Sequence, residues 1–429
     1  MTLEKLFGAR AAGSSPRTEV LAGVTTFVTM AYILAVNPAI LSKAGMDAGA
    51  VFTATVISTI LATLIMGLWA RLPFALAPGM GLNAFFALAV CLAMGHTWQF
   101  ALTAVFIEGI LFILLTLFNV REAIARAIPP GLKHAIGVGI GLFIAFVGLQ
   151  NAGVVVRDEA TLVRLGEIAS GTPLLALGGL VLTAVLLARG VKGALLLGML
   201  ATTVAGIPAG ITRYDGLASL PPSLAPTFLQ FDFSGVFTVE MAMVVFTFLF
   251  VDIFDTLGTL VGVSVKAGLA TPSGEPPRLK QAFMADAVGT TVGAALGTST
   301  LAAYVESAAG VAEGGRTGLT AVVTAGCFAL ALFFSPLFLA IPVAATAPVL
   351  VLVGVFMMTP VKEIDLGDYT ESIPAFLCIV TMPLAYSVAE GIALGMLAYV
   401  FVNLLGGRRR KLSVAMYVLA AVFIIKYIV

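Results

Sequence analysis

Long apolar stretches alternate with short polar segments along nearly the whole chain. Fourteen stretches between charged residues and Pro/Gly clusters are apolar enough to enter a membrane, where a spanning helix needs roughly 20 such residues. They cover about 20–40, 50–70, 75–92, 98–119, 131–150, 173–188, 191–208, 237–263, 280–297, 300–314, 317–336, 341–359, 372–387 and 389–406. The pattern predicts an all-α polytopic membrane protein with fourteen transmembrane segments.

The composition excludes the water-soluble classes of protein. Hydrophobic residues make up 60% of the chain and charged residues only 10%. The three cysteines lie in apolar stretches without C-x-x-C spacing, so neither a metal site nor a disulfide is expected from Cys91, Cys327 and Cys378. The first residues do not combine an apolar core with a small-residue cleavage site, so no removable signal peptide is expected.

The positive charges predict the orientation in the membrane. With the N-terminus in the cytoplasm, 18 Lys and Arg residues fall on the cytoplasmic side and 4 on the outside. The outside group is Lys43, Arg157, Arg164 and Arg213. The bias indicates an even number of crossings, with both termini cytoplasmic in the cytoplasmic (inner or plasma) membrane. The tail 407–429 is predicted to form a peripheral helix, and a fifteenth span over 411–428 stays an alternative.

The chain contains an internal repeat. The stretch IPPGLKHAIGVGIGLF at 128–143 aligns without gaps with IPVAATAPVLVLVGVF at 341–356, which pairs Gly141 with Gly354. A second pair, PLLALGGLVLTAVLLARG and PAFLCIVTMPLAYSVAEG, follows in the same order. Seven spans per half is an odd number, so the second copy must enter the membrane from the opposite side. Such inverted repeats are typical of secondary transporters, whose site lies near the midplane.

Two spans at the same position in the two halves are interrupted. The third reads RLPFALAPGMGLNAFFALAV, in which Pro78 and Gly79 precede Asn83, and the tenth reads GTSTLAAYVESAAGVAEGG, with Glu306 inside. Irregular backbone at membrane depth persists only where protein or water satisfies it. Each span is therefore predicted to contain a short extended strand that leads into a half-helix facing the binding site.

Acidic side chains are the main polar feature of the spans. A charge at the bilayer centre costs at least ~2.5 kcal/mol, so an acid at this depth favours a functional role. Asp252, Asp255, Thr256 and Thr259 occupy one stripe of a helix at i, i+3, i+4 and i+7. Two further deep acids are expected to have structural roles between helices, namely Glu108 and Asp286.

The residue types beside these acids indicate the class of ligand. Phe85, Phe250 and Tyr304 are candidates for stacking on a flat ring, and carboxylates with an amide suit an uncharged heterocycle rich in N–H donors. An anion would instead require Lys or Arg. The stretch GGRTGLT at 314–320 lacks the lysine of a phosphate-binding loop, so nucleotide hydrolysis is not supported.

Five motifs strongly resemble the AzgA-like purine permeases of the nucleobase–cation symporter superfamily. They are GVTTFVTMAYILAVNP, APGMGLNAFF, FVDIFDTLGTLVGV, GTSTLAAYVESAAGVAEGGRTGLTAVV and ESIPAFLCIVTMPLAYSVAEGIALG. The resemblance implies two inverted halves of seven spans and proton-coupled uptake of adenine, guanine or hypoxanthine by an elevator or rocking motion. It also implies a core domain at 20–119 and 237–336 that moves against a gate domain at 120–208 and 337–406.

The resemblance assigns roles to individual residues. Asn83, Asp252 and Glu306 match the family's substrate-binding positions, with Phe85, Phe250 and Tyr304 as stacking candidates beside them. A second group, for proton coupling or support of the site, consists of Asp255, Thr256 and Thr26. An acid at Asp252, where some adenine-preferring relatives carry asparagine, tilts the expectation toward guanine and hypoxanthine.

The expected partners are a purine base and the lipid bilayer, with H⁺ as coupling ion. Neither a cofactor, nor a metal, nor nucleic acid is expected, and assembly as a homodimer is left open. Two alternatives remain at this point: an anion exchanger or channel with the same inverted-repeat architecture, and a membrane enzyme that uses the pair of aspartates.

Overall fold

A computed structural model of the protein describes residues 7–118, 129–212, 216–270, 276–409 and 412–428. Some of the Lys and Arg residues counted for the orientation lie outside this part of the chain, namely Lys5, Arg121, Arg126, Arg213, Arg410 and Lys411. Ile128, the first residue of the repeat, also lies outside it. The described residues are mostly helical, and nine of their helical stretches are long and apolar enough to cross a membrane. The protein is therefore a multi-pass membrane protein, and the count of fourteen spans stays a prediction.

The helices and strands are numbered here in chain order. The first half contains α1 (Pro16–Met30), α2 (Ile33–Leu41), α3 (Ala48–Ile65), β1 (Leu76–Pro78), α4 (Met80–Ala84), α5 (Trp98–Leu117), α6 (Pro130–Asn151), β2 (Val155–Asp158), β3 (Leu162–Leu165), α7 (Gly171–Ala188) and α8 (Ala194–Ala205). The second half contains α9 (Val239–Lys266), α10 (Leu279–Leu296), β4 (Leu301–Ala303), α11 (Ser307–Ala312), α12 (Gly318–Ala331), α13 (Ser335–Leu339), α14 (Val343–Met357), α15 (Tyr369–Leu384), α16 (Val388–Leu405) and α17 (Val414–Ile428). Short 3₁₀ turns lie at Ser42–Ala44, Leu332–Phe334 and Thr359–Glu363, and π-helical turns at Met66–Ala70 and Phe85–Ala93.

Polar residues just before the apolar runs determine where several helices begin. The Ser15 side chain accepts a hydrogen bond from the Thr18 amide at the start of α1, and Pro16 takes the first helical position. Asp47 at α3 and Thr97 at α5 accept equivalent bonds from backbone amides. Each cap satisfies an N–H group that the first turn of a helix leaves without a partner.

The two interrupted segments meet as a pair of short antiparallel strands. Strands β1 and β4 pair Leu76 with Ala303, Ala77 with Ala302 and Pro78 with Leu301, and all six residues are buried. Backbone bonds continue beyond both ends, from Gly79 N to Thr300 O and from Tyr304 N to Ala75 O, each 3.0 Å long. The extended backbone is thus satisfied inside the protein, which unwound backbone at this depth requires.

The chain divides into two compact units. The first unit comprises residues 1–118 and 151–349, and includes both buried strands, α1–α5 and α9–α12. It also includes α7 and α8, which the sequence analysis assigned to the gate domain. The second unit comprises residues 119–150 and 350–429. The division into a moving core and a gate stays a prediction.

Within the second unit, α6 and α14 cross at glycines that the repeat aligns. A Cβ atom added to Gly141 would lie 2.7 Å from the carbonyl oxygen of Gly354, so the two backbones can approach only without side chains. The C-terminal helix α17 packs against α16 through Met416, Ala420 and Phe423, which are buried at helical spacing. Whether α17 lies on the membrane or spans it stays a prediction.

Candidate substrate site

Asn83 lies in the short helix α4, directly after strand β1. Its side chain is fully buried, and its Oδ1 atom accepts a hydrogen bond from the Ser299 hydroxyl. Within the described part of the chain, the Asn83 Nδ2 group has no hydrogen-bond partner. A buried amide donor without a partner is costly to the folded protein, and such groups mark places where a ligand or water can bind.

Three consecutive hydroxyl groups fix the segment that leads into β4. Besides the bond from Ser299 to Asn83 in α4, Thr298 Oγ1 accepts a bond of 2.9 Å from Nδ2 of Asn37 in α2. Thr300 Oγ1 donates a bond of 2.6 Å to Oε2 of Glu108 in α5. Three helices therefore hold this segment in place, and Glu108 makes one of these contacts; its expected structural role stays a prediction.

Glu306 lies in the turn between β4 and α11 and is partly buried. The hydroxyl of Tyr32 donates a hydrogen bond of 2.5 Å to its Oε1 atom. Tyr32 is itself buried, at the break between α1 and α2. The sequence analysis did not select Tyr32, although a tyrosine in the middle of the apolar first span was a usable signal. This bond orients the Glu306 carboxylate by a charge-assisted contact.

Asp252 and Asp255 differ in their surroundings although both lie on α9. Asp252 is fully buried, and its Oδ1 accepts a bond of 3.0 Å from the Thr256 hydroxyl. The Thr256 oxygen in turn accepts a bond of 3.3 Å from the backbone N–H of Ala303 in β4. Asp252 and Thr256 therefore connect α9 to the strand that precedes Glu306.

Asp255 lies beside the break in the third span. It is partly buried, and a Cβ atom added to Gly79 would be 3.5 Å from its Oδ2 atom. Asp255 interacts electrostatically with Asp286 and Glu306. Among the described residues, no group donates a hydrogen bond to the Asp255 carboxyl, and neither Asp255 nor Glu306 forms an ion pair with Lys or Arg. The site thus offers acceptors for a ligand's N–H groups.

Aromatic residues flank this group of polar side chains. The Tyr304 hydroxyl donates a bond of 2.6 Å to the carbonyl of Pro78, and its ring centre lies 6.5 Å from that of Tyr32. Phe85 makes an edge contact with Phe248, with ring centres 4.8 Å apart. Tyr304 thus joins the two broken segments directly, whereas Tyr32 connects the first span to Glu306.

The contacts that the structure shows for Phe250 and Thr26 lie outside this group, and their predicted roles stay predictions. Phe250 packs against Phe246 and Phe254 of its own helix. Because Phe250 and Asp252 are two positions apart, their side chains point about 200° apart around α9. Thr26 is fully buried in α1, where its hydroxyl lies against Gly310 of α11 and has no hydrogen-bond partner among the described residues.

The segment GGRTGLT at 314–320 has an acidic partner that the sequence analysis missed. The fully buried carboxylate of Glu19 accepts bonds from the backbone N–H of Arg316 (2.9 Å) and from the Thr320 hydroxyl (2.6 Å). The apparent phosphate loop therefore binds a carboxylate of its own chain. The position of Glu19 immediately before the first span was the available signal. No cluster of three or more His, Cys, Asp or Glu that could hold a metal ion occurs in the described ranges.

Comparisons with known proteins agree with this architecture. A family model described as "Permease family" (Xan_ur_permease) matches residues 17–394. The chain is 45% identical to the adenine permease AdeP of Escherichia coli (strain K12), over 99% of this chain and 96% of that protein. It is 46% identical to the guanine/hypoxanthine permease PbuG of Bacillus subtilis (strain 168), over 97% of each chain.

A solved structure shares the fold. The transmembrane domain of a cyanobacterium bicarbonate transporter, BicA, superposes with a TM-score of 0.67 at 18% identity, over 87% of this chain and 97% of that domain. At this identity the likeness concerns the fold alone.

Proposed function

Because this chain belongs to the permease family whose model spans residues 17–394, and is therefore a transporter and not an enzyme, we propose that it imports purine nucleobases by proton symport. Adenine, guanine and hypoxanthine are the proposed substrates. The names of its relatives, an adenine permease and a guanine/hypoxanthine permease, support this substrate class.

One observation carries the proposal: the groups left for a ligand include both a hydrogen-bond donor and carboxylate acceptors. The buried amide of Asn83 offers an N–H donor without a partner in the described residues, and the Asp255 carboxyl offers acceptors that receive no bond there. Glu306 adds a carboxylate oriented by Tyr32. A purine edge carries both ring-nitrogen acceptors and N–H donors, so it can satisfy both kinds of group at once.

The aromatic residues near the cluster suit the faces of a flat ring. We assign Tyr304 and Phe85 to the walls of the site because they lie on the two broken segments beside Glu306 and Asn83. Phe250, the third stacking candidate, packs against other phenylalanines of α9, and in this proposal it stabilises that helix and does not contact the base. Asp252 was predicted to bind substrate directly. In this proposal it instead holds β4 in place through Thr256, and so affects base binding only indirectly.

The clustered acids support proton coupling. Asp255 interacts electrostatically with Asp286 and with Glu306, and several negative charges close together in an apolar interior are unfavourable. Uptake of a proton by Asp255 together with the base would remove part of this cost. The loaded core domain could then move against the gate domain without carrying an uncompensated charge.

The internal symmetry supports the proposed motion. The repeat aligns Gly141 with Gly354, which pack against each other in the second unit, and the interrupted third and tenth spans pair as β1 and β4 in the first. Contacts between equivalent positions are expected on the pseudo-two-fold axis of an inverted repeat. We therefore propose fourteen spans in two inverted halves, with both termini on the cytoplasmic side of the cytoplasmic membrane.

The test is uptake of labelled hypoxanthine, adenine and guanine into proteoliposomes under an imposed pH gradient. We expect saturable uptake that a protonophore abolishes, and loss of uptake in Glu306→Gln. The matched control is Glu167→Gln, which changes an exposed glutamate in the described β3–α7 loop. Normal purine uptake by Glu306→Gln would contradict the site, and uptake unaffected by the pH gradient would contradict proton symport.

A second candidate function is anion exchange, which the shared fold with a bicarbonate transporter favours. The acids argue against it, because Asp255 and Glu306 would repel an anion and neither is paired with Lys or Arg in the described ranges. Competition between bicarbonate and hypoxanthine for uptake separates the two functions: bicarbonate is expected to have no effect.

A further inference from the structure

Helices α1 and α11 lie against each other along their length and run in opposite directions. At one end, Tyr32 follows α1 and binds Glu306, which precedes α11. In the middle, Gly310 of α11 contacts Thr26 of α1 so closely that an added Cβ atom would clash. These contacts fix how far along α1 the helix α11 lies, and therefore where Glu306 lies.

At the other end of α1, a buried carboxylate holds the loop that leaves α11. The Glu19 side chain accepts hydrogen bonds from Arg316 N (2.9 Å), Thr317 N (3.3 Å) and the Thr320 hydroxyl (2.6 Å). The two amides lie at the N-terminus of α12, where unsatisfied N–H groups create a partial positive charge. Glu19 supplies the opposite charge without exposure to solvent.

The same loop is fixed to the end of α11. The Arg316 guanidinium donates bonds of 2.6 Å to the carbonyl of Val311, in the last turn of α11, and 2.8 Å to that of Gly315, in the loop that follows. The Ser14 hydroxyl donates a further bond of 2.9 Å to the carbonyl of Gly314. The loop thus joins three elements: the start of α1, the end of α11 and the start of α12.

We propose that Glu19 is a positioning residue for the substrate site. By fixing the loop at residues 313–317, it sets the register of α11 along α1 and so holds Glu306 where Tyr32 can bind it. Glu19 precedes Tyr32 by 13 positions, which corresponds to about 20 Å of helix, so its effect on the site is indirect. This inference rests on the proposed function, in which Glu306 binds the base.

The test combines base affinity with a probe of the turn that needs no ligand. Glu19→Gln removes the charge and one acceptor oxygen, and we expect hypoxanthine to bind about tenfold more weakly in isothermal titration calorimetry. Glu19→Asp keeps the charge and should recover part of the affinity. Glu167→Gln, the exposed control, should bind as the wild type does.

The ligand-free probe is the reaction rate of a cysteine placed at Val305→Cys, in a background without the three native cysteines. Val305 is 48% exposed and directly precedes Glu306. If Glu19 sets the register of α11, Glu19→Gln should change the labelling rate at least about threefold. An unchanged rate together with unchanged hypoxanthine affinity, in a variant with a lower unfolding temperature, would show that Glu19 only stabilises the fold.

Two further outcomes need their own experiment: Glu19→Gln does not fold, or the wild type binds no purine base. If Glu19→Gln does not fold, Thr320→Val removes one of the three donors to Glu19 at nearly constant volume and should show the same effects at smaller size. Wild-type affinity and labelling rate in Thr320→Val would then overturn the proposal. If the wild type binds none of hypoxanthine, adenine and guanine, the proposed function fails, and the labelling rate alone decides the role of Glu19.

Discussion

Replacement of Asn83 by alanine is expected to separate substrate binding from stability. In the ligand-free protein, Asn83→Ala leaves the buried Ser299 hydroxyl without its hydrogen-bond partner, which costs about 1–3 kcal/mol. It also removes a buried N–H donor that has no partner in the described part of the chain, and such a group costs about 1–3 kcal/mol. These two effects oppose each other, so the free energy of unfolding should stay within about 2 kcal/mol of the wild type.

Base binding should respond differently. If the base accepts a hydrogen bond from Asn83 Nδ2, binding removes the cost of that unpaired donor. Loss of about 1–3 kcal/mol corresponds to affinity lower by about 5- to 150-fold. Calorimetric titration with hypoxanthine and thermal unfolding of the same ligand-free sample measure the two quantities.

Asn403→Ala provides the matched control for this experiment. Asn403 is also buried, and its Nδ2 donates bonds of 3.2 and 3.0 Å to the carbonyls of Thr370 and Tyr399. Its replacement should lower the unfolding temperature and leave the affinity for hypoxanthine unchanged. Wild-type affinity in Asn83→Ala, or a loss of more than about 3 kcal/mol of stability in that variant, would refute the reasoning.

Three further predictions concern the supports of the site. Tyr32→Phe removes the hydrogen bond to Glu306, worth about 1.5–3 kcal/mol for a charged acceptor, and should weaken hypoxanthine binding at least about tenfold in calorimetry. Thr256→Val breaks the connection from α9 to β4 and should lower the free energy of unfolding by about 1–3 kcal/mol, with a parallel fall in uptake. Gly141→Ala forces a methyl group into the α6–α14 crossing and should lower the unfolding temperature, whereas Gly137→Ala on the same helix enters open space and should not.

Local sequence patterns were sufficient to locate the broken segments. Pro78 cannot donate a backbone hydrogen bond, and Gly79 follows it, so an end to regular helix at this point was predictable. Asn83 and Glu306 could be selected because each is a polar residue just after such a break. The structure brings both residues to the two ends of one buried strand pair.

The different roles of the two aspartates could not be read from the sequence. Asp252 and Asp255 are about 60° apart around α9. Only the packing of β4 against that helix determines which of the two aspartates is connected to the strand. The contact between Tyr32 and Glu306 joins residues 274 positions apart, so no local pattern reveals it. Glu19 was missed because its partners, the first amides of α12, are brought to it only by the tertiary fold.

Equilibrium binding of a ligand panel to the purified protein tests the central claim most directly. Adenine, guanine, hypoxanthine, uracil and bicarbonate are compared by the change in unfolding temperature of the wild type and of Glu306→Gln. We predict that at least one purine base raises the unfolding temperature of the wild type, that uracil and bicarbonate do not, and that Glu306→Gln abolishes the increase. An increase caused by bicarbonate alone, or a purine-dependent increase that Glu306→Gln retains in full, would contradict a purine site built on Asn83, Asp255 and Glu306.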